Sequence, residues 1–454
     1  MKNVKSHWLV LSGILFGILV GSVINLQHID NVREAILGPN YLPTDLHANA
    51  KQINDALVAS VKGSFLGAAL DGIGRIFLSL LKMVVIPLVF FSIVCGICSM
   101  GGGSALGRIG LKTIGWYVCT SIMAIVTGLV TVNLLTPGEG TNIMIPTQGR
   151  EAHPPDGFWD VVVNMVPTNV IESAAKFDMF GVIVFAILFG IFLTQIDEKH
   201  RAIMIGFVEG AADVMMKMTM WVISLAPVGI AGLVGFTVAT SGPQIFLSLI
   251  GFILTVAAAL GFHFIVSLPA LCWVLTKRNP YVFMRAMSPA LLTGFSTASS
   301  SGTLGVTIET ANDEAGISNK VSSFVLPLGA TVNMDGTALF ECVTVLFIAQ
   351  IHAATHPEFA PLTLQAQIMV VFLALAVSIG AAGIPHAGLV MMVIILNAVN
   401  LPLEYTALIW AVDRVLDMAR TMTNIWSDSC GALVIAHSEN AIDDSVLFDP
   451  ASKA

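Results

Sequence analysis

The chain alternates long apolar blocks with short polar connections, and six of the blocks are long enough for a helix to cross a bilayer, which takes about 20 residues. They run near 8 to 27, 65 to 100, 106 to 136, 178 to 196, 205 to 239 and 244 to 275. Several exceed the minimum, which favours tilted helices. Lys2 and Lys5 precede the first block. Its length and the lack of a small-residue cleavage site predict a retained span, not a signal peptide. Arg108 and Lys112 fall in one connection, Lys199 and Arg201 in another, and Lys277, Arg278 and Arg285 after the sixth block, while the intervening connections carry Glu139, Glu151 and Asp156. The positive-inside rule then gives one orientation, with the N-terminus inside and the Pro- and Gly-rich stretch 137 to 177 outside.

After about residue 280 polar residues interrupt the apolar stretches where lipid would tolerate none of them. Ser299-Ser300-Ser301-Gly302 breaks one segment and Gly380-Ala381-Ala382-Gly383-Ile384-Pro385 breaks another about eighty residues later. Irregular backbone at membrane depth survives only where it is buried in protein or lines a wet cavity. Paired breaks therefore point to a transporter binding site, although Pro385 alone is equally consistent with a simple kink. A third break, Gly329 to Thr337, sets Asn333 and Asp335 inside the apolar stretch 321 to 350. Freed carbonyls beside a carboxylate suit a hard cation such as sodium.

The last apolar segment, 411 to 437, holds Asp413, Asp417, Arg420, Thr421, Asn424 and Asp428. At about 100° per residue these six fall within an arc of about 100°, one polar stripe. Each ionised group at the bilayer centre costs roughly 2.5–3.5 kcal/mol even on the lenient insertion scale, so the stripe faces a cavity, its own members, or ions. A self-neutralising network with Arg420 answering Asp417 is the structural alternative. Three acids against one arginine leave excess negative charge, which bound cations or a substrate amino group would complete; Arg414 lies at the edge of the arc.

Composition agrees with a membrane protein: 56% of residues are apolar and 11% charged, with a mean hydropathy of +0.85, against about 25% charged in soluble domains. The net charge of -8 is spread in short clusters, which speaks against nucleic acid as a partner. The six cysteines imply no disulfide framework. Cys95 and Cys98 have redox spacing but no second ligand pair or nearby histidine. No nucleophile stands with a base, which disfavours a membrane enzyme, and nothing calls for an organic cofactor. A pure ion channel remains the rival class that concentrative uptake would exclude.

The motif Asn333-Met334-Asp335-Gly336-Thr337, the serine-rich tip, Ser378-Ile379-Gly380 with Pro385, and Asp417-Met418-Ala419-Arg420-Thr421-Met422 with Asn424 and Asp428 together resemble the dicarboxylate/amino acid:cation symporter family, which includes the animal glutamate and neutral amino acid transporters. The resemblance covers nearly the whole chain. It implies an all-α polytopic protein with eight transmembrane helices, two re-entrant hairpins and inverted repeats. It further implies a homotrimer in the inner membrane, both termini cytoplasmic, in which each transport domain moves as an elevator against a static scaffold. Residues 1–136 and 178–275 would supply the scaffold spans together with the third and sixth spans of the transport domain, and 137–177 an extracytoplasmic loop. Residues 276–437 would be the transport core, with hairpin 1 near 281–310, a broken span near 315–350, hairpin 2 near 362–400 and the last span near 404–437; 438–454 would be a cytoplasmic tail.

By the same resemblance, Asp417 would take the substrate amino group and Arg420 a side-chain carboxylate, with its planar fork. Ser299, Ser300, Ser301, Thr337, Ile384, Gly388, Thr421 and Asn424 would complete the pocket. One sodium site would use Asp428 with carbonyls of Gly329, Asn333 and Asn424. A second would use Asp335 and Asn333 with Tyr117, Thr120 and Ser121, which by themselves read as ordinary polar groups of a span. A third would use carbonyls of Thr331, Ser378, Ile379 and Ala381. The expected function is sodium-coupled uptake of L-aspartate or L-glutamate; a neutral amino acid, a C4-dicarboxylate or a proton-coupled glutamate transporter of the same fold are the alternatives.

The departures from the family pattern are informative. Members that bind acidic amino acids commonly carry a second arginine where this chain has Ala298 and Met418, so preference for an acidic substrate rests on Arg420 alone. Glu341 occupies the position of an acid that carries a proton in the animal transporters. It implies proton coupling, with potassium as a further candidate for counter-transport, unless a neighbouring helix merely holds the carboxyl. His386 replaces a small or amide residue at the tip of the second hairpin, where an imidazole could tune gating. His263, inside a span, has no explanation in the sequence.

Overall fold

The computed structural model describes residues 2–38, 50–99, 104–139, 166–176, 179–243, 245–355, 359, 361–378 and 386–447. They form an all-helical protein without a strand among them; one isolated bridge pairs Ile317 with Ile442. The chain runs through α1 (Lys2–Leu37), α2 (Ala50–Gly63), α3 (Phe65–Ser99), α4 (Ser104–Leu135), α5 (Val170–Lys176), α6 (Met179–Leu193), α7 (Glu198–Ser224), α8 (Ala226–Ser241) and α9 (Ile245–Phe262). A π turn, His263–Ser267, joins α9 to α10 (Leu268–Thr276). Then come α11 (Pro280–Ala286), α12 (Ser288–Thr297), α13 (Ser300–Asp313), α14 (Asn319–Val332), α15 (Asp335–Thr355), α16 (Leu364–Ser378), α17 (Ala387–Ala398), α18 (Thr406–Ser438) and α19 (Asp444–Leu447).

Five stretches are long and apolar enough to cross a membrane: Ser12–Leu37, Phe65–Cys98, Arg108–Leu135, Leu249–Thr276 and Asn319–Thr355. Two apolar blocks behave differently from simple spans. The block 178 to 196 yields only the 15-residue α6, because its polar end gives way to Asp197, whose side chain accepts the His200 N–H and caps α7. The block 205 to 239 is not one straight helix. It bends by 52° between α7 and α8, where Pro227 in the first turn of α8 has no N–H to continue the ladder.

Two groups of helices pack together. In the first, α1 lies along α8, α8 on α3, and α3 on α6 and α7. The α1–α8 contact is made backbone to backbone. A Cβ on Gly17 would sit 2.7 Å from Ala231 O, and one on Gly21 2.9 Å from Val238 Cβ. Gly13, Gly17 and Gly21 recur every fourth residue on one face, the small-residue spacing that lets membrane helices approach closely.

The second group is built on α15, which packs against α4, α9, α16, α17 and α18. Of an apolar 18-residue segment within Asn319–Thr355, 83% is buried, against 28, 38, 33 and 39% for the corresponding segments of the other four. It has no lipid-facing stripe because protein surrounds it. The short helices α12 and α13 fold onto α18 at a tip where Ala298 takes a left-handed φ of 51° and Ser299 caps α13 by accepting the Gly302 N–H at 3.0 Å. The two groups touch where α17 meets α3 and α18 meets α8.

Beyond the last turn of α18, Lys112 Nζ lies 2.6 Å from Glu439 Oε1 and Arg108 pairs with the same carboxylate, tying α4 to the end of α18. The bonds from Lys112 and Arg108 hold the Glu439 carboxyl below the usual glutamate range. That contribution is present at neutral pH and is lost only as pH falls through the lowered value. Arg278 bonds Asp444 through Nε at 2.9 Å and Nη2 at 2.7 Å.

Gly17→Leu is expected to force α1 off α8 and cost about 1–3 kcal/mol or more through overpacking. A lowered melting temperature of the detergent-solubilised protein checks this, with an exposed substitution such as Leu19→Ala as the control.

Candidate functional site

Two polar clusters meet on α18. The first surrounds the gap between α14 and α15. Asn333 leaves the helical conformation at φ -103°, ψ 86°, and Asp335 opens α15. Both are fully buried. Asp335 accepts the Ser121 hydroxyl at 2.7 Å on one oxygen and the Ser427 hydroxyl at 2.6 Å on the other. Asn333 donates to Asp428 Oδ1 at 2.8 Å and to Ser427 Oγ at 3.0 Å, and Thr120 Oγ1 lies 3.4 Å from its carbonyl oxygen. Tyr117 donates to Val325 O at 2.6 Å. A Cβ on Gly329 would fall on the Asp428 carboxylate and 2.8 Å from the Tyr117 hydroxyl. Only glycine lets the backbone of α14 come this close.

This first cluster gathers two carboxylates with hydroxyl, amide and backbone oxygens. No lysine or arginine among the described residues pairs with either acid; the nearest cationic candidate is His263, whose Nε2 is 3.3 Å from Asp335 Oδ2. The π turn sets that ring inside, and its carbonyls are answered by the Trp426 indole N–H on Phe264 O at 3.1 Å and the Tyr281 hydroxyl on Ile265 O at 3.0 Å. An oxygen-rich donor set with excess negative charge fits a hard cation.

The second cluster lies toward the start of α18. Arg420 is 1% exposed, and its Nη2 donates to Asp413 Oδ1 at 2.9 Å and to Asp417 Oδ1 at 2.7 Å. Its guanidinium carbon sits 3.9 Å above the centre of the Phe340 ring, a desolvated cation–π contact. The Nε and Nη1 hydrogens find no hydrogen-bond partner among the described residues, and neither does either oxygen of the fully buried Glu341. A Cβ on Gly388 would lie 2.6 Å from Nη1, so the start of α17 passes directly over the guanidinium. Asn424 links the two clusters by accepting the Gly336 N–H at 2.8 Å and donating to Thr337 Oγ1 at 3.2 Å.

The residues singled out in the sequence are placed unevenly. Tyr117, Thr120, Ser121, Gly329, Asn333, Asp335 and Asp428 converge in the first cluster, and Thr337, Gly388, Asp417, Arg420 and Asn424 in the second. Thr421 is buried toward α12, where a Cβ on Gly294 would lie 3.8 Å from its methyl. Ser300 is buried in the first turn of α13, while Ser301 is exposed. Thr331 and Ser378 are expected to act through their carbonyls; their hydroxyls bond back to Leu328 O at 3.1 Å and Leu375 O at 2.9 Å. Ile379, Ala381 and Ile384 lie outside the described residues. Sequence reasoning missed Ser427 and Phe340. Ser427 falls just beyond the polar arc on α18, whereas Phe340 is indistinguishable from any core aromatic.

The sequence matches the profile of the "Sodium:dicarboxylate symporter family" over residues 7–438. The chain belongs to the sodium:dicarboxylate symporter family. It is 32% identical to excitatory amino acid transporter 3 of Homo sapiens, covering 80% of this chain and 78% of that protein. It is 29% identical to the proton/sodium-glutamate symport protein of Geobacillus stearothermophilus, covering 98% and 97%, and 30% identical to the proton/glutamate-aspartate symporter of Escherichia coli (strain K12), covering 98% and 95%. As a member of a symporter family the chain is a multi-pass membrane transport protein and not an enzyme.

In this symporter, Arg420→Met leaves Asp413 with the His386 ring and Asp417 with the more distant Arg414, 3.8 Å away, and removing the buried guanidinium costs about 3–5 kcal/mol. A large drop in the substrate-free melting temperature is expected, partly restored when Asp413→Asn is added. An unchanged melting temperature would mean the guanidinium does not neutralise the pair.

Proposed function

We propose that this symporter takes up acidic amino acids, L-aspartate and L-glutamate, together with sodium. The observation that carries the reading is Arg420, held by Asp413 and Asp417 yet retaining N–H groups without a partner, one turn of helix from Asp417. An aspartate or glutamate presents the matching pair of charges: an ammonium for Asp417 and a side-chain carboxylate for the spare guanidinium N–H groups. The glutamate and glutamate-aspartate transport named in its relatives supports the same substrate class.

Sodium is the coupling ion in this reading. The carboxylates of Asp335 and Asp428, without a lysine or arginine partner, would each be neutralised by one ion, with Asn333 and Ser121 as neighbouring donors. Because Asn424 and the Gly336 N–H bridge to the substrate cluster, filling the cation sites sets the pocket in which Asp417 and Arg420 act. Transport follows an elevator mechanism, in which the group built on α14 to α18 with α4, α9 and α10 moves against the group built on α1, α3, α7 and α8. The assembly is a homotrimer in the inner membrane with both termini cytoplasmic.

A second coupling reading is favoured by Glu341. A buried carboxyl without a hydrogen-bond partner, next to the Arg420 cluster, is far easier to keep neutral than ionised. It would enter protonated with the substrate and sodium, and potassium is the candidate for the returning half-cycle.

Uptake of labelled L-aspartate, L-glutamate, L-serine and succinate into proteoliposomes under an inward sodium gradient, with a sodium-free proton-gradient control, tests the proposal. Sodium-dependent accumulation of the two acidic amino acids is expected; accumulation of serine or succinate alone overturns the substrate, and accumulation on protons alone overturns the coupling ion. Asp335→Asn and Asp428→Asn are each expected to raise the sodium concentration for half-maximal uptake about tenfold or more, since a charged ligand contributes about 1.5–3 kcal/mol. Glu341→Gln is expected to flatten the pH dependence of uptake; full retention of that dependence rules out the proton role.

A further inference from the structure

His386 stands at the junction of the second hairpin and the substrate cluster, and the transport scheme leaves it unused. It is the N-cap of α17, holds a left-handed φ of 64°, and is 5% exposed. Such a conformation is costly for a residue other than glycine and persists only where its surroundings hold it. Here two bonds to α18 do so. The backbone N–H donates to Asp417 Oδ2 at 3.0 Å, and the ring Nδ1 lies 2.7 Å from Asp413 Oδ2. An ionised carboxylate can only accept, so Nδ1 carries the proton in this bond. The other face of the ring rests on Trp410 at 5.4 Å, and Trp410 meets Phe77 of α3 edge-on at 5.4 Å.

Asp413 therefore divides its two oxygens between the hairpin and the arginine. Oδ2 is bonded to His386 and Oδ1 to Arg420 Nη2. We propose that His386 is a positioning residue: by holding one oxygen of Asp413 it limits how strongly that carboxylate draws on Arg420, and so sets the availability of the guanidinium. This rests on the reading of Arg420 as the ligand of a substrate carboxylate. Without the imidazole, Asp413 Oδ2 is buried and unpartnered, and the carboxylate turns to its remaining cation. Arg420 is then held more tightly by the protein and less by the substrate. Asp417 keeps the His386 backbone N–H, which any residue at the position supplies, so amino-group recognition is spared.

The test is a double-mutant cycle of His386→Ala and Asp413→Asn on the full-length protein, read in two ways. Equilibrium binding of L-aspartate with sodium present is expected to weaken about tenfold in His386→Ala, the size of one charge-assisted hydrogen bond, and by less than about twofold when the same change is made in Asp413→Asn. In proteoliposomes the KM for aspartate rises while the maximal rate does not fall. His386→Gln, which keeps an N–H donor at similar reach, restores most of the affinity and guards against a simple folding defect. The second reading is the substrate-free melting temperature, in which the two substitutions are also expected to be less than additive. Additive effects in both readouts, or a His386→Gln protein as impaired as His386→Ala, overturn the proposal. A wild-type protein that binds no acidic amino acid refutes the substrate reading instead, and the melting cycle still decides whether His386 acts through Asp413.

Discussion

Asp413, Asp417 and Arg420 are buried together on one helix, and in hydrocarbon none of the three would be tolerable alone. Pairing removes most of that penalty only if the remaining lone pairs and N–H groups are also answered. Much of the second helix group serves this end. Phe340 supplies a π face beneath the guanidinium, and the start of α17 closes over it without a side chain at Gly388. The N-cap of α17 contributes the His386 N–H and ring to the two carboxylates. The polar stripe of α18 thus determines what each neighbouring helix must bring, and α15 in turn is buried on every face because it carries the partners.

What is left unanswered within this arrangement is as informative as what is paired. A fully satisfied network would be a scaffold. Here the arginine retains N–H groups and Glu341 retains both oxygens, while Asp335 and Asp428 are held by hydroxyl and amide donors with no lysine or arginine to balance their charge. The unpaired groups differ between the two clusters: spare N–H donors and the Glu341 oxygens beside Arg420, spare negative charge beside Asp335. Asn424 and Gly336 join them across a few ångströms, so the two clusters are physically adjacent.

The sequence made the polar stripe legible because helical geometry is strict. Six polar positions within about 100° of arc identify one face whatever the fold, and all six are buried in the structure. The breaks at Ser299 and Asn333 were equally visible, since clustered glycine and small polar residues interrupt apolar stretches there. The coming together of Tyr117, Thr120 and Ser121 with Asp335 was not legible from patterning, because hydroxyls in a membrane helix can always bond back one turn, as Thr120 also does to Trp116 O at 3.1 Å. The close contact of α1 with α8 through Gly13, Gly17 and Gly21 was present in the spacing, but which helix it would meet was not.

By itself the sequence determined that the chain lies in a membrane, that its second half is interrupted by polar backbone, and that one helix carries a charged face. These follow from local rules: the length and hydropathy of a span, the permissiveness of glycine, and the pitch of a helix. Tertiary structure alone decided which charges meet. His263 reaches Asp335 through a π turn, and His386 reaches Asp413 from another helix pair. Such pairings join residues many positions apart, and no periodicity encodes them. They exist because a buried charge must find a partner, and only the packed fold fixes which partner is within reach.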